Sequence, residues 1–251
     1  ACPRTAVVIF GPEWNEPKAN RIGYVQNDDR DIGRLGAEHL RSMGRFRSFG
    51  FVMEPPCNQW MRDRASGFVD YLAQRGQSAE VFNYRKDTSL ADWLRRLPKP
   101  TAIMAAWDNQ AIKVIQTAKD CGFDVPKLVS VLGVDNDEVL CEFVKPSLSS
   151  ICPSHDENGY ESAKLLDRWL SGHPPSKRVV VCTGKVIKVR ESTAPLSPSA
   201  HIIFSATEYI RHNAGKDIKV DDVVLDRARH GEVFPDLLIL EFRPENAGHI
   251  E

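Results

Sequence analysis

Residues 101–137 read TAIMAAWDNQAIKVIQTAKDCGFDVPKLVSVLGVDND, and this pattern decides the fold. Residues 102–106 are an apolar run of strand length. Ile112, Ile115, Ala118 and, a turn on, Phe123 recur at helical spacing. Residues 128–134 are a second apolar run, rich in β-branched side chains. Short apolar runs on either side of an amphipathic helix spell a βαβ unit of a parallel sheet. Strands buried on both faces read as continuous rather than alternating hydrophobics. Asp108 and Asp135 follow the two runs. In open α/β sheets ligands sit outside the carboxyl ends of the strands. Carboxylates at neighbouring strand ends therefore make an acceptor-rich cleft, suited to a small polyhydroxylated ligand. The same residues also serve as helix caps and turn formers, so both roles stay open here.

The pattern repeats outward. Upstream, residues 6–10, 21–27, 47–53 and 81–84 read as extended. Asn27-Asp28-Asp29 offers an N-cap for a helix through Ile32, Leu35, Ala37, His39, Leu40 and Met43, stopped by Gly44. Residues 59–74 read as a helix whose Phe68, Val69 and Leu72 face the sheet, and 90–97 as another, ended by Pro98. Downstream, 139–143 and 158–170 read as helices, and 148–152, 178–182 and 186–190 as extended. Ser171-Gly172-His173-Pro174-Pro175 ends the longer helix. Residues 193–199 read as a linker, and 201–213 as a helix stopped by Ala214-Gly215. The sequence contains no internal repeat.

Composition narrows the function classes. The chain has 251 residues, 42% hydrophobic and 27% charged, with a net charge of −1. That suits an ordinary globular protein and gives no global attraction to nucleic acid or anionic lipid. No apolar run reaches the roughly 18 residues that span a bilayer, and residues 6–10 are too short for the core of a signal peptide. The six cysteines are scattered with no CxxC spacing. Cys121 and Cys141, in or beside apolar segments, read as buried free thiols of a reducing cytoplasm. There is no GxGxxG, P-loop, GxSxG elbow or HExxH motif. No cofactor, metal or membrane partner is called for. His39 and His155 read as structural or exposed.

Several segments together resemble a known family. They are IGRLGAEHLRSMG (32–44), RSFGFV (47–52), RDRASGFVDYL (62–72), TAIMAAWDNQA (101–111), LVSVLGVDND (128–137), PSLSSI (146–151) and VRESTAP (189–195). In this collinear order they are similar to the effector-binding domain of the lactose-repressor and purine-repressor family. SLADWLRRLPKPTAI (89–103) and GVDNDEVLCEF (133–143) resemble the xylose-operon regulatory subgroup. EYIRHNAGKDIKVDDVV (208–224) resembles the opening of that subgroup's AraC-type helix-turn-helix region. The resemblance implies an α/β fold of the type I periplasmic-binding-protein-like kind, with parallel sheets and helices on both faces. One lobe would be complete and one partial, because the family has further βα units before the strand matching residues 6–10. A short helical tail would follow. The expected division is an effector domain over 1–195, a linker and start of the helix-turn-helix region over 196–224, and a divergent tail over 225–251. A shifted reading frame or an artificial boundary in the chain would each produce the abrupt change after Val224.

The resemblance also implies a role, that of a sugar-responsive, cytoplasmic transcription regulator. Its effector would be a pentose, with D-xylose first, and its other partners a second copy of itself and operator DNA. No basic recognition helix of the kind that reads a major groove is evident in 225–251, so this chain by itself is not expected to bind DNA specifically. The matching arginine of the family reaches the sugar, which assigns that role to Arg64. Without the resemblance Arg64 reads as a surface arginine. Asp108 and Asp135 would accept from sugar hydroxyls. Trp60 and Trp107 are suited to lie on the apolar face of a sugar ring, although core or hinge packing explains them equally well. Trp60 and Arg64, four apart, share a helical face. Where the family carries AND or TDA, this chain has Ala106-Trp107-Asp108. Two rivals remain. One is a periplasmic sugar-binding transport protein, which should carry an export signal and lack 208–224. The other is a carbohydrate-processing enzyme using the acidic pair.

Overall fold

A computed structural model describes residues 5–11, 21–44, 46–84 and 89–194. The helix expected over 201–213 and the tail lie outside these. In chain order the elements are β1 (Val7–Phe10), β2 (Ile22–Asn27), α1 (Asp29–Met43), β3 (Ser48–Met53), α2 (Gln59–Ala73), β4 (Ala79–Asn83), α3 (Leu90–Arg96), β5 (Thr101–Ala105), α4 (Asp108–Asp120), β6 (Val129–Val134), α5 (Glu138–Phe143), β7 (Ser149–Pro153), α6 (His155–Leu170), β8 (Val179–Cys182) and β9 (Lys185–Lys188), followed by a 3-10 turn, Glu191–Thr193.

Residues 101–137 fold as their pattern predicts. β5 and β6 are adjacent and parallel, with Thr101 opposite Val129, and α4 crosses between them. They lie in a six-stranded sheet of order β4-β3-β5-β6-β7-β9, parallel except for β9 against β7. Successive side chains of one strand serve opposite faces. On β5, Ala102 and Met104 pack with Ile32, Leu40, Phe68 and Leu72 of α1 and α2. Ile103 and Ala105 pack with Leu94, Val114 and Ile115 of α3 and α4. Both faces are therefore covered, which is why these strands read as unbroken apolar runs.

A second, three-stranded parallel sheet, β1-β2-β8, packs Val25 and Cys182 on Leu165 and Trp169 of α6. The helix α6 begins three residues earlier than its periodicity suggests. The Ser154 side chain caps it, accepting from the Glu157 amide at 3.3 Å. Cys141 is buried, as expected, whereas Cys121 is only half-buried.

Among the described residues the backbone passes between the sheets at β2–α1, β7–α6 and β8–β9. Main-chain bonds tie these crossings together, with Asp28 N donating to Cys182 O at 3.0 Å and Ser154 N to Gly184 O at 2.8 Å. The carboxyl ends of β1 and β2 thus come to face those of β5 and β6. Helices α1 and α2 lie in direct backbone contact. A Cβ on Gly33 would run into the Arg64 carbonyl, and one on Gly67 into that of Arg30.

Candidate functional site

Between the strand ends lies a cleft of about 410 Å³, lined by Phe10, Gly11, Gln26, Asn27, Asp29, Trp60, Arg64, Trp107, Asp135 and His155. Sites for small molecules run from roughly 300 to 1,000 Å³. A smaller hollow between α1 and α2 is lined by charges already paired, Arg30 with Asp70 and Arg34 with Asp31. The cleft is the candidate because it lies at the carboxyl ends of the strands, where ligands of such sheets sit.

Arg64 lines it, its side chain 5% exposed. The α1–α2 contact brings Asp29, at the start of α1, within reach, and Arg64 Nε donates to Asp29 Oδ1 at 2.8 Å. Nη1 donates to the Ala106 carbonyl at 2.5 Å, at the end of β5. Asp135 Oδ1 stands 3.7 Å from the same nitrogen. The guanidinium carbon lies 4.7 Å from the Trp60 ring centre, one turn earlier on α2, a cation–π contact. Among the described residues, Nη2 donates to no partner. The guanidinium is thus fixed on three sides.

The flanking acids are perturbed by their setting. Burial raises the Asp29 carboxyl above its ordinary range, and the Arg64 charge and hydrogen bond pull it back. Burial likewise raises Asp135, opposed by Arg64 and then by His155. Asp135 adopts a left-handed backbone, φ 102°. This conformation is uncommon outside glycine and tolerated best by Asp and Asn. Trp107, at the N-terminal boundary of α4, is held by the buried Gln110 amide. Oriented to satisfy its neighbours, its oxygen accepts from Trp107 Nε1 at 3.2 Å and from Glu54 N at 2.8 Å.

Four of the five residues singled out in the sequence, Trp60, Arg64, Trp107 and Asp135, thus meet in one cleft. Both indoles also pack against the core under α1 and α2, as the packing reading expects. Asp108 is corrected. It is 2% exposed and does not line the cleft. Its Oδ1 accepts from Ser150 Oγ at 2.6 Å and its Oδ2 from the Asp137 amide at 2.8 Å. Asp29, Gln26, Asn27 and His155 escaped sequence reasoning. The strand-end rule that found Asp135 also covers Gln26 and Asn27 at the end of β2. Asp29 joins the site only through helix packing, and His155 only because β7 leads into a helix on the other sheet.

Two α/β lobes joined at strand-end crossings, with a ligand-sized cleft between them, define a binding-protein-like effector domain. Residues 37–193 match the periplasmic binding protein-like domain, and the chain belongs to that family. Over 215 residues it is 30% identical to the xylose operon regulatory protein of Escherichia coli (strain K12), covering 81% of this chain and 54% of that protein. The xylose operon regulatory protein of Haemophilus influenzae is 28% identical over 212 residues, covering 80% and 54%. The chain spans about half the length of these curated relatives. The solved structure of the xylose-binding transcription activator xylR superposes with a TM-score of 0.66 at 26% identity, covering 97% of this chain and 66% of that one. A periplasmic binding protein/LacI transcriptional regulator from Alkaliphilus metalliredigens QYMF, complexed with D-xylulofuranose, shares the fold. Its TM-score is 0.62 at 20% identity, over 74% of this chain and 70% of that one. The family resemblance carried by 32–44, 62–72 and 128–137 is borne out.

Proposed function

We propose that this chain is the sugar-sensing part of a transcription regulator and that its effector is a pentose of the xylose type. One observation carries the reading. A buried guanidinium, stacked on Trp60 and flanked by Asp29 and Asp135, turns into a cleft of about 410 Å³ at facing strand ends. A sugar ring needs these three chemistries together. Forked donors serve its oxygens, carboxylates accept from its hydroxyls, and an aromatic face covers its C–H side. The relatives named as operon regulators favour a regulator over a transport protein. No described helix is long and apolar enough to cross a membrane.

The ligand would work by favouring one arrangement of the two lobes, and only to the extent that it binds one arrangement more tightly than the other. In the whole regulator the other partners would be operator DNA and a second copy of the chain, in the cytoplasm; this chain by itself is not expected to bind DNA specifically. The DNA-facing part rests on residues 208–224, which lie outside the described residues. Calorimetric titration with D-xylose, D-ribose, L-arabinose, D-glucose and cellobiose tests the reading. A pentose should bind one to one. Arg64→Ala should weaken it on the order of 10–100-fold, as expected for lost hydrogen bonds to a charged group. No heat with any of the five sugars, or an unchanged affinity in Arg64→Ala, would refute it.

A further inference from the structure

Asp108 is a buried acid that the proposed sugar contacts leave unused, and its surroundings give it a task. Asp135 and Asn136 both carry left-handed backbones, φ 102° and 52°, and neither is glycine. In that region Cβ crowds the carbonyl, so such residues persist only where the structure around them holds them. Three successive amides of the turn are held. Asp135 N donates to Ile151 O at 2.8 Å, extending the β6–β7 pairing. Asn136 N donates to Ser150 Oγ at 3.0 Å. Asp137 N donates to Asp108 Oδ2 at 2.8 Å.

Ser150 has a single hydroxyl proton, and it goes to Asp108 Oδ1 at 2.6 Å. The oxygen is thereby turned to accept from Asn136. Both carboxylate oxygens thus serve the turn, one directly and one through Ser150, and Oδ2 also accepts from Cys141 Sγ at 3.5 Å. The fold is also shaped around them, since a Cβ on Gly133 would run into Asp108 Oδ1. Arg190 Nη1 adds an outer hold, donating to Asn136 Oδ1 at 2.9 Å.

We propose that Asp108 is a positioning residue: directly and through Ser150 it fixes the left-handed turn at 135–137, and so aims Asp135 into the cleft, without touching the ligand. The effect on binding rests on the sugar-cleft reading. The hold on the turn does not, and it is measured with no ligand present. Burial pushes the Asp108 carboxyl up to about 6, against the pull of Ser150 and the Asp137 amide, so it is charged and accepting at neutral pH.

Amide hydrogen exchange of the ligand-free protein, read by NMR, is the test. In Asp108→Ala the Asn136 and Asp137 amides should exchange about tenfold faster or more, the loss of roughly one hydrogen bond each. Ile103 and Phe51, in the neighbouring strands, should keep their rates. Asp108→Asn, whose side-chain oxygen still accepts, should restore most of the Asp137 protection. Ser150→Ala should expose Asn136 and spare Asp137. Titration with D-xylose supplies the second arm. Asp108→Ala should weaken binding about tenfold or more with Asp135 present and should have no further effect once Asp135→Ala is made, because a residue acting through another has nothing left to position.

Unchanged exchange at Asn136 and Asp137 in Asp108→Ala overturns the proposal. So does an equal loss of D-xylose affinity in the Asp135→Ala background. If Asp108→Ala does not fold, unchanged Asn136 exchange in Ser150→Ala overturns it in the same way. If the wild-type protein binds no sugar, the sugar reading fails and the exchange rates alone decide the turn.

Discussion

The carboxyl of Asp108 is pushed from an ordinary value near 3.8 to about 6, mainly by burial. Folding therefore favours its protonated form. Its contribution to stability is fully present below about pH 4 and is lost as pH rises through about 6. A shift of this size corresponds to about 3 kcal/mol between the two limits. Titratable neighbours meet it from the turn after β6, Asp135 and Asp137, and from α5, Cys141, and replacing it alone isolates its share. The wild-type melting temperature should fall relative to that of Asp108→Asn between pH 4.5 and 7.5, as measured by calorimetry. Parallel curves would show that this acid is not strained by its burial. The same residue marks the limit of strand-end reasoning. Asp108 and Asp135 follow equivalent apolar runs, yet Asp135 faces the cleft and Asp108 props up its rim. The partners that turn Asp108 inward, Ser150 and the Asp137 amide, lie 42 and 29 residues along the chain.

Among the elements, the α1–α2 contact matters most for the site, because it sets Asp29 against Arg64. It depends on two glycines. A Cβ at Gly33 would meet the Arg64 carbonyl, and one at Gly67 the Arg30 carbonyl. These are backbone atoms, which cannot swing aside as a side chain can. Alanine is the better helix former by about 1 kcal/mol, but forcing two packed helices apart costs roughly 1–3 kcal/mol or more. Gly33→Ala should lower the urea midpoint and also weaken D-xylose binding, since the Asp29–Arg64 pair is pulled open. A Cβ at Gly159, in α6, would meet no atom within 4 Å. There Gly159→Ala should raise the midpoint by up to about 1 kcal/mol of stability, leaving sugar affinity unchanged. If both substitutions shift the midpoint alike, the close contact is not what glycine serves at position 33.

Across the whole molecule, pH pulls stability in two directions. His39, on α1, lies buried with Nε2 3.0 Å from Thr193 Oγ1, and burial lowers its pKa to about 4. A depressed histidine favours the folded state while neutral. Its contribution is present above its ordinary value of about 6.5 and is lost as pH falls through about 4. The acids raised by burial, Asp108 first and Asp29 and Asp135 with it, gain over the same descent. The two effects offset each other in the wild type. In His39→Gln only the acids remain, so between pH 7 and 4.5 this variant should gain on the wild type by about 2–3 kcal/mol in denaturant titrations. A difference that stays constant with pH would show that His39 is not held neutral.

Local pattern was enough for the βαβ unit at 101–137 and for most element boundaries, because hydrophobic period and caps are properties of neighbours in the chain; the family was legible from the resemblance of particular segments in collinear order. Local pattern also put Asp135 and Trp107 at strand ends and Trp60 on one helical face with Arg64, whereas the role expected of Arg64 came from the family resemblance and not from local pattern. The choice between Asp108 and Asp135 as the cleft acid, and the entry of Asp29 and His155 into the site, were decided only in three dimensions. Each depends on which distant hydrogen-bond partner or helix arrives beside the residue, and no local period encodes that.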